Sequence, residues 1–302
     1  MAKYLNLKPV EFDKLSAKRK AAVKWEGRIL LPKYDGCFAM VCFYNGKLDF
    51  ILSRDGKVVK SMDHIEEDLL VVYPNLANLR GGWAILGEAW NPGKEFAELS
   101  GTFRRQRPQP QLGFAPFDIV PYVMDPDTDE PMLSSDLPYV SRLSFLEDAR
   151  NVICGVCRPC HIICESEAHA LAYAKNFKAM GGYDGAIASD PDAPYVVSDG
   201  HGEFLKVKPL QSFSLRVVGV QAGVGEKTGR ATASLLVRFK SGTCGVGTGF
   251  MEAVAAEWAR EPERVVGRIA EVACMGVYPG EDGMMREPRF VGWRDDVINP
   301  DY

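Results

Sequence analysis

Lys33-Tyr34-Asp35-Gly36 constrains this chain more than any other stretch, because of what flanks it. The apolar run Ile29-Leu30-Leu31-Pro32 leads into it, and a second run, Phe38-Ala39-Met40-Val41-Cys42-Phe43-Tyr44, follows. A lysine held at a strand end by apolar flanks is expected to have a depressed pKa and a usable free amine. That amine can attack phosphorus or a carbonyl carbon. Asp35, two residues on, lies on the same side of an extended chain. Gly36 permits a tight turn and a close approach of backbone to ligand. Alone, K-x-D-G is a weak pattern that also fits an exposed Lys-Asp pair in a hairpin.

The chain has 302 residues, enough for one large or two ordinary domains. At 46% hydrophobic and 25% charged residues, its composition is that of a soluble globular protein. No segment reaches the roughly 18 consecutive apolar residues of a membrane span. The N-terminus, Met1-Ala2-Lys3-Tyr4-Leu5, lacks a basic-then-apolar layout, which argues against secretion and for an intracellular, cytoplasmic protein. Eight cysteines scattered through a chain of this length fit a reducing compartment better than a disulfide scaffold. Net charge is −4, which by itself disfavours nucleic-acid binding. The charge is uneven, however. Lys14, Lys18, Arg19, Lys20 and Lys24 form one basic group and Arg104, Arg105 and Arg107 another, while acidic residues pool at Asp125 to Glu130. A locally basic face on an acidic protein is compatible with DNA, although either run alone also reads as solvated surface.

Residues 1–28 read as a polar helical lead-in. Residues 29–60 alternate apolar runs with turns at Asn45-Gly46 and Asp55-Gly56, predicting antiparallel strands and hairpins. Helices are predicted over 62–72, 138–150 and 165–180, the last ending at Gly181-Gly182. Ala84–Glu88, Leu112–Val120 and Asp184–Ser189 read as strands. A boundary is expected at Lys208-Pro209-Leu210-Gln211-Ser212, dividing the chain into 1–209 and 210–302. Beyond it, strands are expected over Phe213–Gln221, Ser234–Lys240 and Arg268–Tyr278. Gly-rich stretches lie at Gly223–Arg230 and Gly242–Gly249, with a helix over 251–266. A small β-rich domain with one internal helix suggests an OB-fold.

Several side chains carry chemistry by their placement. Glu88 ends a buried strand, where an unpaired carboxylate is costly, so a ribose or metal role fits it better than a structural one. Lys206 and Lys208 alternate and therefore share a face. Two such lysines repel unless an anion lies between them, and phosphate is the natural anion. Phe117 offers an aromatic wall for a purine, with core packing as the plain alternative and Phe114 as another candidate. Cys154, Cys157, Cys160 and Cys164 have the spacing of a metal-binding quartet. The proline that usually follows is replaced by Glu165, and if Arg158–Cys164 is an extended strand it cannot wrap four sulfurs around one ion, so packing is the favoured expectation.

Taken in order, Lys33-Tyr34-Asp35-Gly36, Ser53-Arg54-Asp55-Gly56, Leu86-Gly87-Glu88-Ala89, Phe114 to Ile119, Tyr183 to Ile187, Leu205 to Pro209, and Arg286 to Asp296 resemble the motif series of the covalent nucleotidyltransferases. That superfamily holds DNA ligases, RNA ligases and mRNA capping enzymes. The pattern is most similar to the small ATP-dependent DNA ligases of T7-like bacteriophages, and it spans about residues 29–296. The resemblance implies an α+β protein: a nucleotidyltransferase domain of ATP-grasp-like antiparallel sheets with helices, then a β-rich OB-fold domain. It implies a monomer that seals 3′-OH/5′-phosphate nicks in duplex DNA with ATP and Mg2+ or Mn2+, serving replication, repair and recombination.

By the same resemblance Lys33 is the nucleophile that becomes lysyl-AMP. Asp35 holds a ribose hydroxyl or fixes the lysine. Glu88 and Asp184 serve the metal, Asp184 standing where the family has glutamate. Arg54 binds AMP or the nick 5′-phosphate, Phe117 stacks on adenine, and Lys206 and Lys208 bind nucleotide phosphates. Arg104 and Arg105 are expected to touch DNA, as is Arg54. Arg289 and Arg294, with Arg286, are expected to orient the pyrophosphate.

The chain departs from the family at Phe38, where arginine is usual, at Ser189 and Val297, where lysine is usual, and at Leu31, where an acid is common. Phe38 removes one expected nucleotide contact, and Leu31 weakens the inference that the base is adenine. An RNA ligase or GTP-dependent capping-type enzyme is the alternative within the superfamily. A non-enzymatic metal- or nucleic-acid-binding protein built on the cysteines is the alternative outside it.

Overall fold

A computed structural model describes residues 7–148, 155–197, 202–224, 229, 231–278 and 284–302. The chain divides into two compact units, Met1–Lys208 and Pro209–Tyr302.

Among the described residues the first unit holds eleven strands. They are β1 (Val10–Glu11), β2 (Ile29–Tyr34), β3 (Cys37–Tyr44), β4 (Lys47–Ser53), β5 (Gly82–Trp90) and β6 (Gly113–Met124), then β7 (Pro131–Ser135), β8 (Ile162–Ile163), β9 (Tyr183–Ser189), β10 (Tyr195–Val196) and β11 (Phe204–Val207). Five helices accompany them: α1 (Ala17–Ala21), α2 (Ile65–Val72), α3 (Phe96–Phe103), α4 (Tyr139–Glu147) and α5 (Glu167–Met180). The strands form a five-stranded sheet, β1-β11-β9-β2-β8, and a six-stranded sheet, β10-β7-β6-β5-β3-β4. Although β2 and β3 are separated only by Asp35-Gly36, they belong to different sheets. The expected hairpin geometry therefore holds for β3 and β4, turned at Asn45-Gly46, but not across the Lys33 tetrapeptide.

The six-stranded sheet is buried on both faces, which is why β3 reads as an unbroken apolar run. Ala39, Val41 and Phe43 pack with Ile65 and Leu69 of α2 and Leu99 and Phe103 of α3. Phe38, Met40 and Cys42 point the other way, to a cluster with Leu86, Val120 and Tyr195. α5 covers the five-stranded sheet, packing Ala170 and Ala174 on Leu30, Ala186, Ala188 and Leu205. Its small residues let helix and sheet approach closely. Ser166 caps its start by accepting from His169 N, and Gly181 ends it at φ 78°. α4 is tied to β6 by a buried ion pair, Arg142 Nε to Asp118 Oδ1 at 2.8 Å, and Arg142 also donates to Ala193 O at 3.0 Å.

The second unit holds β12 (Gln211–Val224), β13 (Ala231–Phe239), β14 (Gly242–Val246), β15 (Ile269–Cys274), β16 (Gly276–Val277), β17 (Met285–Arg286), β18 (Arg289–Trp293) and α6 (Glu252–Arg260). Its main sheet is antiparallel in the order β14-β13-β12-β15-β18. β12 pairs with β15 through Gln211–Arg216 and with β13 through Val217–Val224, with an irregularity between Val217 and Gly219. Such an irregularity bends a strand and lets one long strand serve two halves of a curved sheet. Trp258 of α6 packs against Val237, Val272 and Val246 in the core.

Several expectations change. The lead-in is not simply helical, since Val10–Glu11 is a strand parallel to β11. Within the Gly-rich stretch at Gly242–Gly249, Gly242–Val246 is a strand, because β13 supplies its partners. The helix predicted to 266 ends at Arg260, just before Pro262, and a short 3-10 turn, Pro262–Arg264, follows. Between Arg158 and Cys164 only Ile162–Ile163 is strand.

Candidate active site

β2, β5, β9 and β11 each deliver one charged side chain to a common place. Lys33, the penultimate residue of β2, lies opposite Gly185 of β9. Its Nζ is 3.0 Å from Asp184 Oδ2, and its side chain is 20% exposed, so the amine is reachable but sheltered. Lys208, just past β11, reaches the same Asp184 oxygen at 3.0 Å. Burial alone would raise the Asp184 carboxyl, but Lys33 and Lys208 hold it below its usual range. Two lysines thus share one carboxylate.

Lys206 lies on β11, opposite Ile187 of β9. Burial first, then the charges of Lys33 and Arg54, lower its amine to about 8. Glu88 shows the opposite effect. Burial pushes its carboxyl up to about 7, against the pull of Lys33 and Arg54 and with a push from Asp35. Glu88 Oε2 is buried and has no hydrogen-bond partner among the described residues. A buried carboxylate oxygen left bare is costly, so it fits a partner from outside the chain, a hydroxyl donor or a cation.

Gly36 is required by the packing around it. A Cβ there would lie 2.5 Å from Ala89 O and 3.1 Å from Glu88 Cβ. The glycine lets the backbone after Lys33 pass hard against the end of β5, which brings Lys33 and Glu88 together from different sheets. Next to these groups stands an aromatic cluster: Tyr34 with Trp90 at 4.9 Å, Tyr34 with Tyr183 at 5.3 Å, and Trp90 with Tyr183 at 5.3 Å between ring centroids.

Phe117 is half-buried and packs against Phe38, with ring centroids 6.4 Å apart. Phe114 is fully buried in the helix-covered core, so it offers no wall to a ligand. Leu31 is closed into an apolar cluster with Tyr139 and Leu143, so no polar contact to a base comes from that position. Arg54, Arg104 and Arg105 line a cavity of about 720 Å³ together with Lys57, Lys60 and Phe38.

Arg289 and Arg294 belong to the second unit. Arg294 is held there by Asp296, with Nε to Oδ1 and Nη2 to Oδ2 both at 2.9 Å. Cys157 packs beside Tyr34 and Trp90, Cys160 is exposed and Cys164 is buried in a different cluster. Cys154 lies outside the described residues. Among the described residues no group of three or more His, Cys, Asp or Glu could hold a metal ion.

One charged residue escaped the sequence. Glu11, opposite Lys206 in the register of β1 and β11, is 4.0 Å from Lys208 Nζ and 2.6 Å from Lys14 Nζ. Burial would raise its carboxyl, but Lys14, Lys208 and Lys206 hold it below the usual range. Asp184 and Glu11 are thus the chain's own anions beside the lysine pair.

No protein-family model matches the chain, and no curated protein matches it. Solved structures do. A chain named "Pmar-Lig_Pre." superposes with a TM-score of 0.70 at 18% identity, over 97% of this chain and 68% of that one. A Lig E DNA ligase gives 0.62 at 18% identity, over 95% of this chain and 100% of that one. The ATP-dependent DNA ligase of bacteriophage T7, in complex with ATP, gives 0.52 at 18% identity, over 97% and 99%. The α+β architecture that these ligases share, a nucleotidyltransferase unit followed by an OB-fold unit, is the fold of this chain.

Proposed function

We propose that the protein is an ATP-dependent DNA ligase that seals 3′-OH/5′-phosphate nicks in duplex DNA through a lysyl-AMP intermediate. One observation carries this: a sheltered lysine, Lys33, sits in a cluster with Asp184, Lys208, Lys206 and a buried Glu88 whose Oε2 is bare. In-line phosphoryl transfer needs a nucleophile and positive groups on the non-bridging oxygens. Lys33 supplies the first and Lys206 and Lys208 the second.

Lys33 Nζ attacks the α-phosphorus of ATP, the N–P bond forms, and the bond to pyrophosphate breaks. The attacking amine must be neutral, so its proton goes to solvent, to which the side chain is 20% exposed, while Asp184 Oδ2 at 3.0 Å orients Nζ. AMP then passes to the nick 5′-phosphate, held by Arg54 with Arg104 and Arg105 nearby, and the 3′-hydroxyl displaces it. Phe117 stacks on the base, and Asp35 and Glu88 orient the ribose. Glu88 and Asp184 would hold Mg2+ or Mn2+, which when bound neutralises charge on the phosphoryl oxygens. Arg289 and Arg294 orient the pyrophosphate. No helix among the described residues is long and apolar enough to cross a membrane. A monomer working in the cytoplasm completes the proposal.

Incubation with α-labelled ATP and magnesium, followed by a denaturing gel, tests it. Label on the protein, moving to a nicked duplex and released as AMP on sealing, is expected. A protein that stays unlabelled overturns it.

A further inference from the structure

Arg54 stands at the tip of a turn rather than inside a strand. The turn is closed by Gly56 N to Ser53 O at 3.0 Å, Ser53 N to Lys57 O at 2.8 Å and Lys57 N to Ser53 Oγ at 3.2 Å. These bonds fix the backbone and leave the long side chain free. Arg54 is exposed and makes no hydrogen bond or ion pair with another described residue. What holds it is a ring. Its guanidinium carbon lies 5.5 Å from the centroid of Phe38, which is only 5% exposed. Phe38 is itself fixed on both sides. It is paired with Glu88 across β3 and β5, and it packs against Phe117 and the Met40–Leu86 cluster.

A ring face holds a guanidinium in a way that a carboxylate cannot. A carboxylate takes up the N–H groups, whereas a ring takes up only the flat face and leaves the in-plane donors pointing outward. A second arginine at position 38, as the family pattern has it, would instead repel Arg54. We infer that Phe38 is a positioning residue that holds Arg54 by its ring face, presenting its guanidinium donors to the 5′-phosphate at a nick. The inference rests on the ligase proposal. It makes the departure at position 38 an exchange: one direct cationic contact is given up, and the remaining arginine gains a fixed platform.

The test measures equilibrium binding of nicked duplexes that carry either a 5′-phosphate or a 5′-hydroxyl at the nick. The proteins are wild type, Phe38→Leu, Phe38→Tyr, Arg54→Ala and the Phe38→Leu/Arg54→Ala double variant. Phe38→Leu should weaken binding of the phosphorylated nick by about 3- to 30-fold, the range of such ring–cation contacts, and leave the hydroxyl nick unchanged. Phe38→Tyr, which keeps the ring, should bind within about two-fold of wild type. In the Arg54→Ala background, Phe38→Leu should add nothing, because the group it positions is gone. Equal losses on both nicks, or losses that add in the double variant, overturn the role of Phe38 while leaving ligase activity standing. Wild-type protein that binds both nicks alike overturns the proposed phosphate site and this inference with it.

Discussion

Trp90 Nε1 donates to the carbonyl oxygen of Gly182 at 2.8 Å, and the backbone N–H of Asp35 donates to the same oxygen at 3.0 Å. One carbonyl therefore ties together the segments that carry Lys33, Glu88 and Asp184, since Asp35 ends the first, Trp90 the second, and Gly182 begins the third. Gly182 has φ 76°, and a Cβ there would lie 3.3 Å from Trp90 Nε1. Trp90→Phe loses the donor and one ring of the indole, which should cost about 1 kcal/mol for the bond and more for the lost packing. Gly182→Ala, strained in backbone as well as crowded, should cost about 1–2 kcal/mol. Urea denaturation measures both, and a Trp90→Phe protein of wild-type stability would show that the bond contributes nothing.

Lys33→Ala should abolish transfer of label from α-labelled ATP to the protein. Sealing of ordinary nicks should disappear with it. A nick already carrying AMP should still close, because that step does not need the lysine as nucleophile. Persisting adenylation of the variant would reassign the nucleophile.

Glu88 makes stability depend on pH with a defined sign. Its carboxyl is raised from an ordinary 4.5 to about 7, so the folded protein binds more protons than the unfolded chain in that interval. Stability should fall as pH rises through it, by at most about 3 kcal/mol. Glu88→Gln cannot ionise and should gain on wild type between those values, then hold a constant advantage above them. Denaturation profiles of both proteins across that pH range check this, and parallel curves would contradict it. The same variant should lose lysyl-adenylate formation, so the gain in stability comes at the site's expense.

Arg294→Ala separates the first step from the last. Pyrophosphate leaves only in the first, so adenylation should drop by roughly 10²-fold or more. Sealing of a pre-adenylated nick should fall far less. Equal losses in gel assays of the two reactions would make Arg294 a DNA contact or a folding residue.

What the sequence revealed was local. Asn45-Gly46 announced its hairpin because both positions take positive φ, 50° and 80°. Gly181 marked the end of α5 by its own chemistry. Lys33, Glu88 and Asp184 could be singled out because each interrupts or ends an apolar run. Hidden features depended on distant partners. The parting of β2 and β3 into separate sheets is decided by β9 and β5, not by Asp35-Gly36 itself. Gly242–Val246 becomes a strand only because β13 lies beside it. Glu11 sits on a two-residue strand, too short for any periodicity, and its meaning comes from Lys206 and Lys208 far along the chain. The aromatic cluster left a fainter trace: Tyr34 and Tyr183 each adjoin a charged candidate, and Trp90 follows Glu88 by two.

The short parallel strand at Val10–Glu11 changes how this protein should be trimmed or tagged. It closes one edge of the five-stranded sheet and also delivers a carboxylate beside Lys208 and Lys206. A shortened chain that begins after Glu11 would look harmless, since a polar lead-in is ordinarily expendable. It would in fact carry an overcharged lysine pair, and any anion in the buffer would compete to fill the gap. Fusions that pull on the first residues risk the same substitution of salt for side chain.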